Sequence, residues 1–175
     1  MSNAIRGFIP LKEYDIADTQ LAIIGNSEVI YVGDAIVPGA TSHAPYVYRA
    51  AGTTGVVLGV VVAIEGVPGQ ANVTELNNVT AGASNETTPV YYARYIPLTA
   101  PGIKFSAQLS GAAGTTNYSK APGSFNILST NSGQLDETTW AAYSATEKQF
   151  FSLGLDPTDT TNQTVIGSFA KTLTP

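Results

Sequence analysis

Thirteen carboxylates and a single histidine are the residues of this 175-residue sequence whose chemistry could reach beyond packing. His43 lies in a turn-like stretch between Ser42 and Ala44-Pro45. Alone, it cannot supply a multi-histidine metal site within one chain. A Ser-His-Asp arrangement with Asp34 is formally available. No serine, however, sits in the G-x-S-x-G elbow that presents such a nucleophile, and any all-β chain of this size holds the three residue types. Asp156-Pro157-Thr158-Asp159 could offer oxygen ligands to calcium, but the spaced loop of an EF-hand is missing, and Asx-turn formation explains the same residues. Asp136-Glu137 read as the first turn of a possible helix, where negative charge suits the dipole. Glu13, Asp15 and Asp18 cluster near the N-terminus. A carboxylate pair for glycoside hydrolysis could form only through space, and a small β-hydrolase of dispersed carboxylates is the weakest class. With no cysteine, thiolate zinc sites, disulfides and a Cys nucleophile are excluded. No Gly-rich phosphate cradle with its lysine is present. The expectation is a non-enzymatic chain without metal or cofactor.

Charged residues make up 12% of the chain, about half the usual share of roughly 25%. Hydrophobic residues make up 43%, enough for a globular core. The length fits one domain. A net charge of −5, a pI near 4.6 and eight scattered basic residues offer no stripe for phosphate contacts, so no nucleic-acid partner is expected. The most apolar run, Gly55 to Ile64, spans ten residues. A membrane-crossing helix needs about 20, so this run reads as a buried strand and no membrane partner is expected. Met1 to Leu11 contains no apolar run of signal-peptide length. Asn-x-Ser/Thr triplets begin at Asn72, Asn78, Asn85, Asn117 and Asn162, as a Thr- and Asn-rich composition produces by chance.

The elements that must position any site read mostly as strands. Ser27 to Val37 gives two β-rich runs split at Gly33-Asp34. His43 to Ala51 and Gly55 to Ile64 form another pair, and Gly59 inside the second run marks a bulge or a close backbone approach. Glu65 to Pro89 is long for a structureless loop, so it holds one or two short strands, around Val73 and Val79, or projects as an excursion. Val90 to Leu98 is a strand whose tyrosines, Tyr91, Tyr92 and Tyr95, should be at least alternately core. In Gly102 to Leu109 the alternation of Ile103, Phe105, Ala107 and Leu109 with Lys104, Ser106 and Gln108 predicts a half-buried strand. Phe125 to Leu128, Gln149 to Leu155 and Thr164 to Phe169 complete the set. Asp136 to Phe151 is the one place where a helix competes. Residues 1–20 read as an arm, because Gly7 and Pro10 break any helix. Its apolar residues Ile5, Phe8, Ile9 and Leu11 imply docking on the body or on a neighbour. The predicted fold is all-β: a single-domain β-barrel or β-sandwich over residues 21–175, with an extended N-terminal arm and a long excursion at 65–89.

Four blocks carry a family resemblance: GDAIV at Gly33 to Val37, VVLGVVVAI at Val56 to Ile64, RYIPLTAPGIKFSAQ at Arg94 to Gln108, and GLDPTDTTN at Gly154 to Asn162. In the third block Tyr95, Pro101, Phe105 and Gln108 carry the likeness, and in the fourth Gly154, Leu155, Asp156, Pro157, Asp159 and Asn162. Their order resembles that of the small capsid decoration, or cement, proteins of tailed bacteriophages. The Asn/Thr-rich insert at 65–89 departs from the pattern. The resemblance implies a β-barrel-like body on the outer surface of the virion, bound to the major capsid protein of the head shell. Low charge and abundant hydroxyl and amide groups suit contact between subunits, and closed symmetry favours a homotrimer or homodimer. Ile5, Phe8, Ile9 and Leu11 are the expected capsid- or subunit-binding anchors, so that removing residues 1–12 should abolish shell binding and leave the fold intact. The alternative is a carbohydrate- or receptor-binding β-module of a tail fibre or surface layer, with the 65–89 insert as its binding loop.

Overall fold

The computed structural model describes residues 7–39, 46–50, 56–66, 78–99, 103–111, 122–142, 148–158 and 163–170. The chain is all-β. In order, the strands are β1 (Ile9–Pro10), β2 (Gln20–Ile24), β3 (Val29–Tyr31), β4 (Ala35–Pro38), β5 (Tyr46–Arg49), β6 (Gly59–Gly66), β7 (Asn78–Thr80), β8 (Tyr91–Pro97), β9 (Phe105–Leu109), β10 (Gly123–Leu128), β11 (Asn131–Ala141), β12 (Phe150–Leu155) and β13 (Thr164–Phe169), with one 3₁₀ turn at Ile16–Asp18. Among the described residues no helix is long and apolar enough to cross a membrane.

The strands close two rings. The first is a five-stranded barrel in the order β2-β5-β4-β6-β8. The second is a sheet in the order β1-β9-β11-β10-β12-β13, and β9 also pairs with β13, so its last five strands return on themselves. A short β3–β7 ladder caps the first ring and sets Ile30 opposite Val79. Ring closure leaves few unpaired strand edges, the usual solution for a chain of short antiparallel strands.

Two apolar clusters fill the rings: one belongs to the first ring, and the other is shared by both. Ile24, Ile30, Ile36, Val61, Ile64, Val79, Ala93 and Tyr95 pack inside the first barrel. The second cluster joins Ala35, Ala50, Val57, Val60 and Leu98 of the first half to Phe105, Leu109, Phe125, Leu135, Phe150, Val165 and Phe169 of the second. The two rings therefore share one buried seam, which couples their stability.

Several expectations are met in detail. The Gly33-Asp34 turn separates β3 from β4, Val79 lies on β7, and Tyr95 is the strand tyrosine that enters the core. Gly59 marks a close approach: a Cβ there would run into the Tyr95 ring and the Ile96 carbonyl oxygen. The bulge itself falls further along, between Val61 and Ala63. Val73 lies outside the described residues.

Two expectations are corrected. The possible helix at Asp136 to Phe151 is instead β11 as far as Ala141, and β12 begins at Phe150. Pairing decides here: β11 is antiparallel to β10 and, at Gln134 and Leu135, parallel to β9. Leu135 is fully buried and Trp140 packs on the shared core, so the tertiary partners override the helix-tolerant composition. Asp136-Glu137 are thus strand residues. The second correction concerns β9, where the alternation predicted one solvated face. All five residues are buried, because Ser106 and Gln108 face a covered groove rather than water.

Candidate functional site

The N-terminal segment is stitched to the body from Gly7 onward. Gly7 has φ +68°, and a Cβ there would stand 2.6 Å from the Cα of Gly33, so only glycine fits this crossing. The Phe8 N–H donates to the Gly33 carbonyl at 2.8 Å, Ile9 and Pro10 pair with Ser106 and Phe105, and the Leu11 N–H donates to the Lys104 carbonyl at 2.9 Å. Extended backbone alternates its side chains. Phe8 points inward, 2% exposed, with its ring centroid 4.9 Å from Phe169 and 5.5 Å from Phe150. Ile9 and Leu11 point outward, 43% and 47% exposed. Further along, Asp15 accepts the Ala17 N–H while Asp18 accepts the Asp15 N–H, both at 3.2 Å, fixing the 3₁₀ turn. The guanidinium of Arg94 donates to Thr19 Oγ1 at 3.0 Å, and the Tyr95 hydroxyl donates to Gln20 Oε1 at 2.8 Å.

The four expected anchors therefore separate. Phe8 belongs to the core of its own domain, since a ring held by Phe150 and Phe169 is not available to a neighbour. Ile9 and Leu11 stand on the surface. Ile5, with the rest of residues 1–6, lies outside the described residues. Removing residues 1–12 would take Phe8 out of the core, so this truncation cannot leave the fold untouched.

Behind Ile9 and Leu11 lies a cavity of about 360 Å³, lined also by Gly7, Ser106, Gln108, Asp156, Thr158 and Thr164. Strand register brings these residues together: Ser106 is opposite Ile9 on one edge of β9, and Gln108 is opposite Thr164 on the other. The turn after β12 closes the far side, where the Asp156 N–H donates to the Thr164 carbonyl at 2.9 Å. Asp156 is 7% exposed. Its Oδ1 accepts the Thr158 hydroxyl at 2.6 Å and the Thr158 N–H at 2.9 Å, an Asx turn, and its Oδ2 accepts the Ser106 hydroxyl at 3.2 Å. The Thr158 hydroxyl, then its N–H, and finally Ser106 hold the Asp156 carboxyl below the usual carboxylate range against the opposing effect of burial. The groove thus combines an ionised carboxylate, neutral hydroxyl and amide groups and an apolar wall. Gln163, just before Thr164, is buried with φ +51°, a conformation that non-glycine residues seldom adopt.

The remaining candidates fall elsewhere. His43, Asp159 and Asn162 lie outside the described residues, so neither the Ser-His-Asp arrangement nor the Asp156–Asp159 pair can be assembled there. Among the described residues no group of three or more metal-ligating side chains occurs. Asp34 is buried and accepts the Tyr31 N–H at 2.9 Å, shaping the β3–β4 turn. Asp136 serves its own strand by accepting the Thr138 N–H and hydroxyl. Asn85, an acceptor-like triplet position, is buried and bound on both ends: its Nδ2 donates to the carbonyls of Ile24 and Tyr91, and its Oδ1 accepts the N–H groups of Val90 and Tyr91. A glycan cannot be carried there in the folded protein. Asn78 is exposed on β7, and Asn72 and Asn117 lie outside the described residues.

Ser106, Gln108 and Thr164 are groove residues that sequence reasoning assigned to no site, although Gln108 was among the positions of the family resemblance. Local alternation assigned Ser106 and Gln108 to solvent, and the cover that buries them comes from segments about 50 and 100 residues away in sequence.

In comparisons with known proteins, no protein-family model and no curated sequence matches the chain.

Proposed function

We propose that this chain is a non-enzymatic structural protein of a tailed-phage virion, which binds the major capsid protein on the outer surface of the head and reinforces the shell. One observation supports this reading above the others. Of the ten large hydrophobic residues that are exposed among the described residues, Ile9, Leu11, Tyr14, Ile16 and Leu21 fall within one short segment. That segment is anchored to the body at Gly7–Leu11 and at Thr19–Gln20, and the turn between them is held by its own caps, so it presents apolar side chains without a large ordering cost on binding. Clustered exposed apolar residues on a soluble surface mark interaction sites. A shell stabiliser acts by binding the assembled lattice more tightly than free subunits, which needs such a pre-ordered patch. A repeated contact of standard size buries about 1,200–2,000 Å² in total, and this segment would form its apolar centre.

The test is co-sedimentation of the purified chain with capsid shells lacking it. Ile9→Ser with Leu11→Ser should lower shell affinity by about tenfold or more while the melting temperature stays near wild type. Undiminished sedimentation of that variant, or no sedimentation of the wild type, would overturn the proposal.

A further inference from the structure

We propose that one end of the second ring docks an acidic protein segment with an apolar anchor, read by Lys12 and Lys104 beside Ile9 and Leu11. The inference deepens the shell-binding reading, and rests on it only for the identity of the partner.

Strand direction gathers the cations. β1 and β13 are each antiparallel to β9, and β12 is antiparallel to β13, so the end of β1 and the starts of β9 and β12 lie at the same end of the ring. Lys12 follows β1 by two residues, Lys104 immediately precedes β9, and Lys148 precedes β12 by two. The Leu11 N–H donates to the Lys104 carbonyl at 2.9 Å, which sets Lys104 opposite the exposed Leu11. Lys12 and Lys104 are exposed, and Lys148 is half-buried.

Pairing separates these lysines from the other cations. Arg49 and Arg94, on the first ring, hold Glu28 and Glu65 in ion pairs. Lys12, Lys104 and Lys148 make no ion pair among the described residues. Glu13 adjoins Lys12, and Asp15 and Asp18 lie further along, where they cap their own turn as the chain crosses to the first ring. A chain of net charge −5 thus keeps a local group of unpaired cations where its N-terminal segment also exposes two large apolar side chains.

This combination defines the ligand. Charge complementarity calls for an anionic partner and speeds its encounter. A nucleic-acid backbone would meet the lysines but leave Ile9 and Leu11 in water, whereas carboxylates flanking an apolar side chain satisfy both. The partner binds through side chains and not by adding a strand. The Leu11 N–H points at β9, so the nitrogen of Pro10, one residue earlier, faces the outer edge of β1, where it has no proton to donate.

The experiment is a ¹H–¹⁵N NMR titration of the full chain with three probes: acetyl-Asp-Leu-Asp-Leu-Asp-amide, its basic counterpart acetyl-Lys-Leu-Lys-Leu-Lys-amide, and inorganic polyphosphate. The acidic peptide should give saturable shifts at the amides of Leu11, Lys12, Lys104 and Phe105. It should bind about fivefold more weakly when salt rises from about 0.05 M to about 0.5 M, because exposed charges are screened. Lys12→Gln with Lys104→Gln should weaken it about threefold or more, and so should Ile9→Ser with Leu11→Ser. All four positions are exposed, so both double variants should melt near wild type. The proposal is overturned by a basic peptide that binds as well as the acidic one, by polyphosphate that binds more tightly, by shifts that do not saturate, or by either double variant binding at the wild-type level. The three-probe comparison needs no variant, so it stands even if a variant fails to fold. A chain that selects the acidic peptide yet ignores shells would support this surface and sink only the shell reading.

Discussion

Replacing Phe8 by alanine separates two roles that an apolar residue near a terminus can have. In this fold Phe8 is 2% exposed and its ring meets Phe150 and Phe169. Truncating a fully buried phenylalanine costs about 3–5 kcal/mol, through lost burial and the cavity left behind. For a chain of about this length each kcal/mol shifts the melting temperature by roughly 2–4 °C, so Phe8→Ala should melt about 6–20 °C lower. Ile9→Ala and Leu11→Ala are the controls. Both side chains are more than two-fifths exposed, so each substitution should stay within about 0.5 kcal/mol of wild type. Differential scanning calorimetry, with urea denaturation at fixed pH, reads all three. If Phe8→Ala melts within about 2 °C of wild type, the N-terminal segment is not part of the core, and the argument that orders Ile9 and Leu11 for binding fails with it.

Other substitutions probe the supports of the site. Asn85→Ala orphans the Ile24 and Tyr91 carbonyls and the Val90 and Tyr91 N–H groups, and should cost about 2–4 kcal/mol in urea denaturation; a loss under about 0.5 kcal/mol would show these groups satisfied otherwise. Gly7→Ala places a methyl against Gly33 at positive φ and should release the segment, seen as faster proteolysis near Leu11 than in wild type; unchanged cleavage would contradict the crossing. The Asp156 carboxyl is held below its ordinary value of 3.8, so its contribution to stability is full above that pH and is lost as pH falls through the lower folded value. Asp156→Asn should therefore flatten the acid limb of stability against pH. The Tyr48 hydroxyl, donating to the Glu86 carboxylate, is pushed up to about 12 from 10.0, so its contribution is complete below pH 10.0 and disappears as pH rises through about 12. Tyr48→Phe should remove that alkaline loss.

What was legible in the sequence was local. Turn chemistry at Gly33-Asp34, β-branched runs at Val60–Ile64 and Thr164–Phe169, and the odd glycine at 59 each act on their neighbours, and each reading survives in the fold. What was illegible depends on segments far apart. The stretch from Asp136 has alanines and a tryptophan that a helix tolerates, and only pairing with β10 and β9 makes it a strand. Phe8, Ile9 and Leu11 read as one apolar group, but extended backbone sends Phe8 inward and the other two out. The groove is the extreme case: Ser106 and Gln108 carry the pattern of a solvated face, and the Asp156 turn that covers them is some 50 residues away, where it reads as an ordinary Asx turn.

Electron cryo-microscopy of purified virions from the source of this chain tests the central claim most directly. The account predicts two-ring density on the outer shell at a symmetry axis, with Ile9 and Leu11 against the major capsid protein. Density at a tail tip, or a shell contact that leaves Ile9 and Leu11 facing solvent, would contradict it.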